Sequence, residues 1–396
     1  MRLLVLGDLH LHAGPEGAGV SRDIAVLIDR YAGDASGPPR LVLAGDVYDL
    51  AVAGTGPLAG RLADIDARHA AFHDALARLC RSGGDVVLVP GNHDAEMLGE
   101  EGRSWVEARV PGARVSPWFF REGKLVHVEH GSQYDPDNAH PHPLVPAGDP
   151  LGVMLTRGIL SRLGDLRLVP LSDRTPIPVL LRCFVNYGLR TPGMVARYVC
   201  LGLGAVVRGP KGHAGARATG ARRVAEAARE RGLDASGLSA LARLSARPTS
   251  ANRALLFRRL YLDRLLASAA IACVAVLVLA GAIPFAPSTL FVGAALLAGL
   301  AALLPNRYRG HRTERLRQAA HEVARTTGVR YVVFGHAHEP SDDGTYLNVG
   351  PFGMPARGAP RTYVEIAGGM AQSRQMMPGG DPPEPLPLPD VEPQAA

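Results

Sequence analysis

The sequence predicts an α/β fold, because short apolar runs typical of buried strands alternate with longer segments of helical periodicity. The apolar runs include Leu3–Leu6, Leu41–Leu43 and Val86–Val89. Two segments that lie between these runs, Val20–Tyr31 and Leu62–Cys80, each place apolar residues on one stripe of a helix. This order of elements favours a βαβ arrangement of strands and crossover helices.

Five of the predicted strands end in the same way, with a glycine beside carboxylate, amide or imidazole side chains. The clusters are Gly7-Asp8-Leu9-His10, Gly45-Asp46-Val47-Tyr48-Asp49, Gly91-Asn92-His93-Asp94, His130-Gly131 and Gly335-His336-Ala337-His338. Each would lie at the carboxyl edge of a sheet, where open α/β folds place their sites. Such mixed oxygen and imidazole ligands suit Mn²⁺, Fe or Zn²⁺ better than metals that prefer thiolates.

These five clusters, in this order, resemble the motifs of the calcineurin-like metallophosphoesterase family. The resemblance covers roughly the first 140 residues and a stretch near residues 325–370, about half the chain. It implies a four-layer fold in which a two-sheet β-sandwich is flanked by helices and holds a two-metal site. It also implies a metal-dependent enzyme that hydrolyses phosphate esters or phosphoric anhydrides.

The resemblance assigns a role to each polar residue of the clusters. Asp8, His10, Asp46 and His338 would hold one divalent ion, and Asp46, Asn92, His130 and His336 the other, with the Asp46 carboxylate bridging. Two such ions, about 3.5–4 Å apart, lower the pKa of a bridging water and clamp the phosphoryl oxygens. We expect Mn²⁺, with Fe or Zn²⁺ as alternatives. His93 would act as general acid, Asp94 would fix its tautomer, and Asp49 would support the site from behind the ligands.

Other polar residues near the clusters are open to two interpretations. His12 and Tyr134 are candidates for substrate contact, although Tyr134 begins a segment that a plain Asx-turn would also use. His69 and His73 lie four residues apart on a predicted helix, a spacing that can bind metal, but core histidines are the better interpretation. His127 is interpreted in the same way.

A long insertion separates the fourth cluster from the fifth, and its charge differs from that of the rest of the chain. Leu151 to Arg317 contains 25 Lys/Arg against 7 Asp/Glu, a net charge of +18, which leaves −12 for the remainder of a chain with net charge +6. A basic insertion suggests phosphate-bearing substrates or anionic lipid head groups. Its arginine-punctuated apolar runs, such as Met194 to Val207, suit either a membrane surface or ordinary helix packing.

A stretch of 42 residues between Arg264 and Arg307 contains no charged residue. It consists of two apolar runs, Leu265 to Ile283 and Leu290 to Leu304, and predicts a transmembrane helical hairpin. The alternative is a buried helical pair in a soluble core. Arginines flank both ends, so the positive-inside bias predicts a location in the cytoplasmic membrane with the catalytic domain on the cytoplasmic face.

The predicted domains follow from these boundaries. They are a discontinuous catalytic domain (1–139 and 325–375), a basic helical insertion (140–264 and 305–324), the transmembrane hairpin (265–304) and a disordered proline-rich tail (376–396). The insertion and the hairpin favour a phosphorylated, lipid-linked or membrane-derived small-molecule substrate, with membrane lipids as partners. Enzymes that hydrolyse UDP-2,3-diacylglucosamine share this plan distantly, but carry arginine where this chain has His93.

Two other functions compete with this prediction. The chain could be a membrane-tethered scaffold with a vestigial phosphoesterase domain, but every expected ligand position holds a competent residue. It could also be a phosphodiesterase or nuclease acting on nucleotides or nucleic acid. The basic segment lacks interleaved aromatic residues for base stacking, which makes nucleic acid the less favoured partner. No protein partner is indicated by the sequence.

Overall fold

The computed structural model describes residues 2–14, 18–33, 37–161, 176–209, 212–230, 234–281, 293–294, 311–353, 359–379 and 384–385. It divides into two compact units. The first unit comprises Met1–Arg157, Gly212–Pro248 and Arg312–Ala396, and the second comprises Gly158–Lys211 and Thr249–His311. The four domains predicted from the sequence stay a prediction.

The first unit is built on two mixed sheets. Its strands are β1 (Arg2–Leu6), β2 (Arg40–Ala44), β3 (Asp85–Val89), β4 (Ala113–Val115), β5 (Phe119–Glu122), β6 (Val126–Glu129), β7 (Tyr331–Phe334), β8 (Ser341–Asp342), β9 (Tyr346–Asn348), β10 (Arg361–Ala367), β11 (Met370–Met376) and β12 (Glu384–Pro385). One sheet has the order β12-β11-β10-β1-β2-β3-β4, and the other has the order β5-β6-β7-β9-β8. Strands β1 to β4 pair in parallel, as do β6, β7 and β9. The predicted parallel arrangement of the early strands is therefore confirmed.

An apolar layer fills the space between the two sheets of the first unit. Val5 and Val42 from the first sheet belong to the same buried cluster as Val128, Val333 and Leu347 from the second. Their strands alternate inward and outward side chains, so the opposite faces of both sheets are free to pack against helices.

Helices cover the outer faces of both sheets. The described helices are α1 (Ala18–Ala32), α2 (Leu58–Arg81), α3 (Glu100–Arg109), α4 (Leu151–Leu155), α5 (Pro176–Tyr187), α6 (Thr191–Arg208), α7 (His213–Glu230), α8 (Ala235–Leu244), α9 (Arg253–Arg259), α10 (Leu262–Leu279) and α11 (His311–Thr327). Ile24 of α1 and Phe72 of α2 share a core with Leu41 of the first sheet. Leu238 of α8 and Leu316 of α11 pack in a second core on the other sheet. The predicted fold, two sheets flanked by helices, is confirmed.

The second unit contains α5, α6, α9 and α10. Over the described residues, no single helix combines the length and apolar composition needed to cross a membrane. Helices α9 and α10 reach that length and composition only when taken together, and the pair is bent by 67°. The structure therefore does not support the transmembrane hairpin predicted at Leu265 to Leu304. Most of its second run, Leu290 to Leu304, lies outside the described residues.

Candidate metal centre

Backbone strain is concentrated at the predicted metal ligands. Among the described residues, seven non-glycine residues have a positive φ, and five of these are Asp8 (+53°), His10 (+47°), Asp46 (+50°), His336 (+66°) and His338 (+55°). This left-handed conformation is unfavourable for residues that carry a Cβ, and it persists only where the surrounding structure imposes it. The fold therefore bends the chain sharply after β1, β2 and β7 and turns these side chains toward one another.

The turns that carry the clusters are joined by backbone hydrogen bonds. The Asp8 amide donates to the Gly45 carbonyl over 3.1 Å, and the Gly335 amide donates to the His130 carbonyl over 3.0 Å. The two sheets are also linked, because the His336 amide donates to the Asp8 carboxylate at 2.9 Å. The site is therefore held by strand ends from both sheets.

Asp8, His10 and His338 form the first cluster of ligand atoms. His10 Nε2 and His338 Nε2 face each other at 3.2 Å, and Asp8 Oδ1 lies 3.2 Å from His338 Nε2. Burial lowers the pKa of His338, and the Asp8 charge offsets this effect only in part. A neutral imidazole is the form that binds metal, so this environment suits a ligand.

Asp46, His130 and His336 form the second cluster. His130 Nε2 lies 3.2 Å from Asp46 Oδ2 and 3.1 Å from the Asn92 side-chain oxygen. Its other ring nitrogen, Nδ1, donates to the Ala44 carbonyl over 3.0 Å. That hydrogen bond leaves Nε2 as the atom that faces the oxygens, as in metal-binding histidines.

Asp46 belongs to the second cluster and also approaches the first. Its Oδ2 atom is 3.2 Å from His130 Nε2 and 3.9 Å from His10 Nε2. Burial raises the pKa of Asp46, but the positive charges of His130 and His93 outweigh it and hold that pKa well below its usual range. Burial lowers the pKa of His130, and the Asp46 carboxylate reverses this and raises it to about 9. The charged groups that offset the buried Asp46 carboxylate are therefore imidazoles, a setting that suits bound cations.

Three glycines leave the space that the ligands occupy. A Cβ at Gly335 would lie 2.6 Å from Asp8 Oδ2, and a Cβ at Gly45 would overlap the His130 ring. At Gly91, a Cβ would lie 2.7 Å from the Asp46 amide nitrogen. The close approach of backbone to ligand, together with the oxygen and imidazole donors, fits hard or borderline divalent metal ions.

His93 lies beside the clusters, and Asp49 is its partner. His93 Nδ1 is 2.8 Å from Asp49 Oδ1, while Asp49 Oδ2 is 3.3 Å from His10 Nδ1. Burial lowers the pKa of His93, but the Asp49 and Asp46 charges outweigh it and raise that pKa to about 10. The His93 ring is therefore held through Nδ1 by the Asp49 carboxylate, and its role as general acid stays a prediction.

The predicted contact between Asp94 and His93 is wrong. The Asp94 carboxylate accepts hydrogen bonds from the backbone amides of Gly91 (2.6 Å) and Val47 (2.8 Å). Burial raises the pKa of Asp94 to about 6, and the Asp46 charge adds to this effect. Adjacent residues after a tight turn point in different directions, so Asp94 ties the turn after β3 to the turn after β2 instead.

The sequence interpretation missed the role of Asp135. Its carboxylate lies 2.9 Å from His336 Nε2 and also accepts a hydrogen bond from Asn138 Nδ2 at 2.8 Å. Asn138 in turn accepts from Asn92 Nδ2 at 3.2 Å, so this loop supports two predicted ligands. The signal available in the sequence is a carboxylate five residues after His130, in the segment that predicts a substrate contact or an Asx-turn.

The two candidates for substrate contact differ. Tyr134 is buried; its hydroxyl donates to Glu129 and its ring stacks on Phe334, so the predicted substrate contact is wrong. His12 is also largely buried, and its Nδ1 accepts from the Gly14 amide at 3.0 Å. Its contact with substrate stays a prediction.

The three histidines assigned to the core are buried there. His69 Nε2 lies 2.8 Å from the His12 carbonyl, and His73 Nε2 lies 3.1 Å from the Tyr48 hydroxyl. His127 stacks on Phe119 with ring centroids 4.6 Å apart. The interpretation of all three as core residues is confirmed.

The fold and the site together define a class: hydrolases in which carboxylates, an amide and imidazoles at strand ends bind divalent metal. Residues 1–177 match the family model described as calcineurin-like phosphoesterase, so the chain contains a domain of that family. The family implies metal-dependent hydrolysis of phosphoesters, which confirms the enzyme class predicted from the sequence.

Other comparisons add little to this assignment. No curated protein matches the chain. Among solved structures, the chain is similar to a cold-active protein-tyrosine phosphatase of a psychrophile Shewanella sp. and to a point mutant of a cold-active protein tyrosine phosphatase. Each likeness has 12% sequence identity, covers 98% of this chain and 80% of the other, and has a TM-score of 0.34. A TM-score in this range carries no argument about function.

Proposed function

We propose that this chain is a membrane-anchored phosphohydrolase that uses two divalent ions to cleave a phosphate ester or diphosphate. The observation that carries the proposal is the position of Asp46 Oδ2 between His130 at 3.2 Å and His10 at 3.9 Å. Asp8 and His338 complete one ligand set, and Asn92 and His336 the other. Such a pair of ions would supply an activated water and clamp the phosphoryl oxygens.

The side chains most open to substrate are His93 and His338. Their side chains are 15% and 25% exposed, whereas those of Asp8, His10 and His130 are at most 3% exposed. Substrate would therefore approach from the side of His93 and His338. His93, oriented through Nδ1 by Asp49, would donate the proton that the leaving oxygen needs.

The substrate class follows from the chain outside the first unit. The uncharged 42-residue stretch and its arginine flanks support attachment to a membrane. Two crossings would keep both parts of the catalytic unit on the cytoplasmic face. We infer a lipid-linked or membrane-derived phosphate ester or diphosphate, because an enzyme at the membrane meets such substrates at high local concentration.

The catalytic proposal is tested with purified, metal-loaded chain and its Asp46→Asn variant. Substrates should include a soluble phosphomonoester, a phosphodiester and a lipid diphosphate in mixed micelles. Asp46→Asn should abolish turnover of every substrate, since no other carboxylate of the described residues stands between the two clusters. The control is Asp64→Asn, an exposed aspartate of α2. Full activity of Asp46→Asn, or of exhaustively chelated enzyme, would refute the two-metal proposal.

The membrane proposal has its own test. Replacing Leu265 to Leu304 by a short flexible linker should release the protein from membranes into the soluble fraction. Activity on the soluble substrate should persist, because every proposed ligand lies outside this segment, while activity on the lipid diphosphate should fall. An insoluble, unfolded product would indicate that the segment is core, and the lipid-substrate argument would then be lost.

A further inference from the structure

The exposed apolar surface of this protein is concentrated in the second unit. Of the thirteen large hydrophobic side chains that are exposed among the described residues, ten lie there. They are Leu181, Phe184, Val185, Leu189, Leu203, Val207, Leu255, Leu266, Val276 and Leu277. Single exposed apolar residues are ordinary, but a concentration of this kind marks an interaction surface.

On helix α6, the exposed apolar residues are regularly spaced. Ala196, Cys200, Leu203 and Val207 are all exposed, and their spacing of four, three and four residues places them on one stripe of the helix. Val207 is 75% exposed. We call these four residues the α6 stripe. A helix packed in a soluble protein normally presents polar residues on its solvent side, so this stripe lacks the expected composition.

The opposite face of α6 is already packed. Gly202 is buried, and a Cβ there would lie 3.1 Å from a methyl group of Leu260. The Tyr198 hydroxyl donates to the Leu260 carbonyl over 2.6 Å, and Thr191 is fully buried. The side chains on this face hold α6 against α9. The α6 stripe therefore faces outward because of the packing within the second unit.

The charged residues around the α6 stripe indicate which kind of partner it binds. The segment Pro176–Gly209 contains four arginines (Arg182, Arg190, Arg197 and Arg208) and no aspartate or glutamate. Arg182, Arg190 and Arg208 are exposed. Apolar side chains beside long cationic side chains match the boundary of a bilayer, where arginine stems lie along the acyl chains and guanidinium groups reach lipid phosphates. An acidic protein partner would match the charge but not the continuous apolar stripe.

We propose that α5 and α6 form an interfacial surface that lies on an anionic phospholipid membrane, with the α6 stripe inserted between head groups. This inference rests on the membrane part of the proposed function and gives it a second contact, separate from Leu265 to Leu304. It also assigns Arg182, Arg190 and Arg208 to lipid recognition. The surface would fix the orientation of the second unit on the bilayer, which an apolar anchor alone does not do.

The cysteines of the chain provide a direct test. Cys200 lies on the α6 stripe and is exposed; Cys273 lies on α10 and is also exposed, whereas Cys80 is partly buried and Cys183 is buried. A polarity-sensitive fluorophore is attached to Cys200 in a Cys273→Ser chain, and to Cys273 in a Cys200→Ser chain. The control carries the label at Met370→Cys with both serines present, because Met370 is 55% exposed in the first unit. Vesicles of phosphatidylcholine with and without phosphatidylglycerol are then added.

The inference predicts a blue shift of the Cys200 label on anionic vesicles, reduced on zwitterionic vesicles, and no shift at position 370. A shift of the Cys273 label without one at Cys200 would overturn the inference and leave the apolar anchor intact. A shift at Cys200 alone would support the inference and contradict the anchor. If no label shifts, both ideas fail.

The arginines are tested separately. Arg182→Gln and Arg190→Gln should each weaken binding to anionic vesicles about fivefold at low salt, since one cationic side chain near such a surface contributes that much. The matched control is Arg103→Gln, an exposed arginine of α3. Equal affinity of all three variants would remove the electrostatic part of the inference.

Discussion

Gly91→Ala is the sharpest test of the way the fold holds the metal centre. Gly91 follows β3 and lies against Asp46, the residue between the two ligand clusters. An added Cβ would lie 2.7 Å from the Asp46 amide nitrogen and 2.8 Å from His130 Cδ2, and closer still to Asp46 Oδ1. The amide nitrogen belongs to the backbone and cannot rotate away. The methyl group must therefore displace Asp46, His130 or the turn after β3.

The size of the effect follows from these distances. Ordinary contacts of a Cβ begin at 3.4 Å, so the groups must separate by about 0.7 Å. A displacement of this order at reacting groups costs up to about 10²-fold in rate. Metal affinity should fall by about 10–100-fold, as when a ligand loses its support.

The matched control is Gly60→Ala in α2, where an added Cβ meets nothing within 4 Å. Alanine should stabilise that helix by about 1 kcal/mol without affecting metal binding. Metal stoichiometry and affinity are measured by titration, turnover with a soluble phosphoester, and folding by thermal unfolding. If Gly91→Ala binds both ions with unchanged affinity and remains fully active, the steric reasoning is refuted.

Three further predictions concern individual side chains. His93→Ala should keep metal but lose about 10²–10⁴ in rate for esters with poor leaving groups; activated aryl esters should suffer much less, and equal losses would make His93 a structural residue. Asp135→Asn should weaken metal binding by about 10–100-fold in a titration, because His336 loses its partner, whereas Asp64→Asn should not. Burial lowers the pKa of His140 from 6.5 to about 4, and the His213 charge adds to this. The unfolded chain therefore takes up this proton first, and between about pH 7.5 and pH 5 the group should reduce the free energy of unfolding by about 2 kcal/mol. His140→Leu should remove that part of the pH dependence in urea titrations, and an unchanged profile would contradict it.

The strands and ligand clusters could be predicted from the sequence because both depend on local patterns. An apolar run followed by glycine and a polar residue reports a strand and its end, whatever the rest of the chain does. Parallel pairing then brings Asp8 and Asp46 to one edge of the first sheet. The second sheet supplies His130 and His336 through the same pattern.

The partners of those ligands could not be predicted, since they depend on side-chain directions after tight turns. Asp94 is adjacent to His93 in sequence, yet its carboxylate accepts from the Gly91 and Val47 amides. The residue that contacts His93 is instead Asp49, 44 positions away along the chain, whose Oδ1 lies 2.8 Å from His93 Nδ1. Adjacency along the chain says little about contact when each residue of a turn points differently.

The second unit shows a different limit of sequence patterns. Arg197 interrupts the apolar run of α6, so composition alone left surface binding and ordinary packing equally open. In the structure, Arg197 Nε donates to the Gly158 carbonyl over 2.6 Å, and its side chain is only partly exposed. The charge that breaks the run is thus engaged within the unit, and the α6 stripe remains uninterrupted on the outside. An exposed face that is apolar over three turns, flanked by arginines and free of carboxylates, has the composition of a surface that meets lipid rather than water. This face is not recognisable as a continuous run in the sequence, because the residues that share it are three or four positions apart. The intervening residues belong to the packed side of the helix.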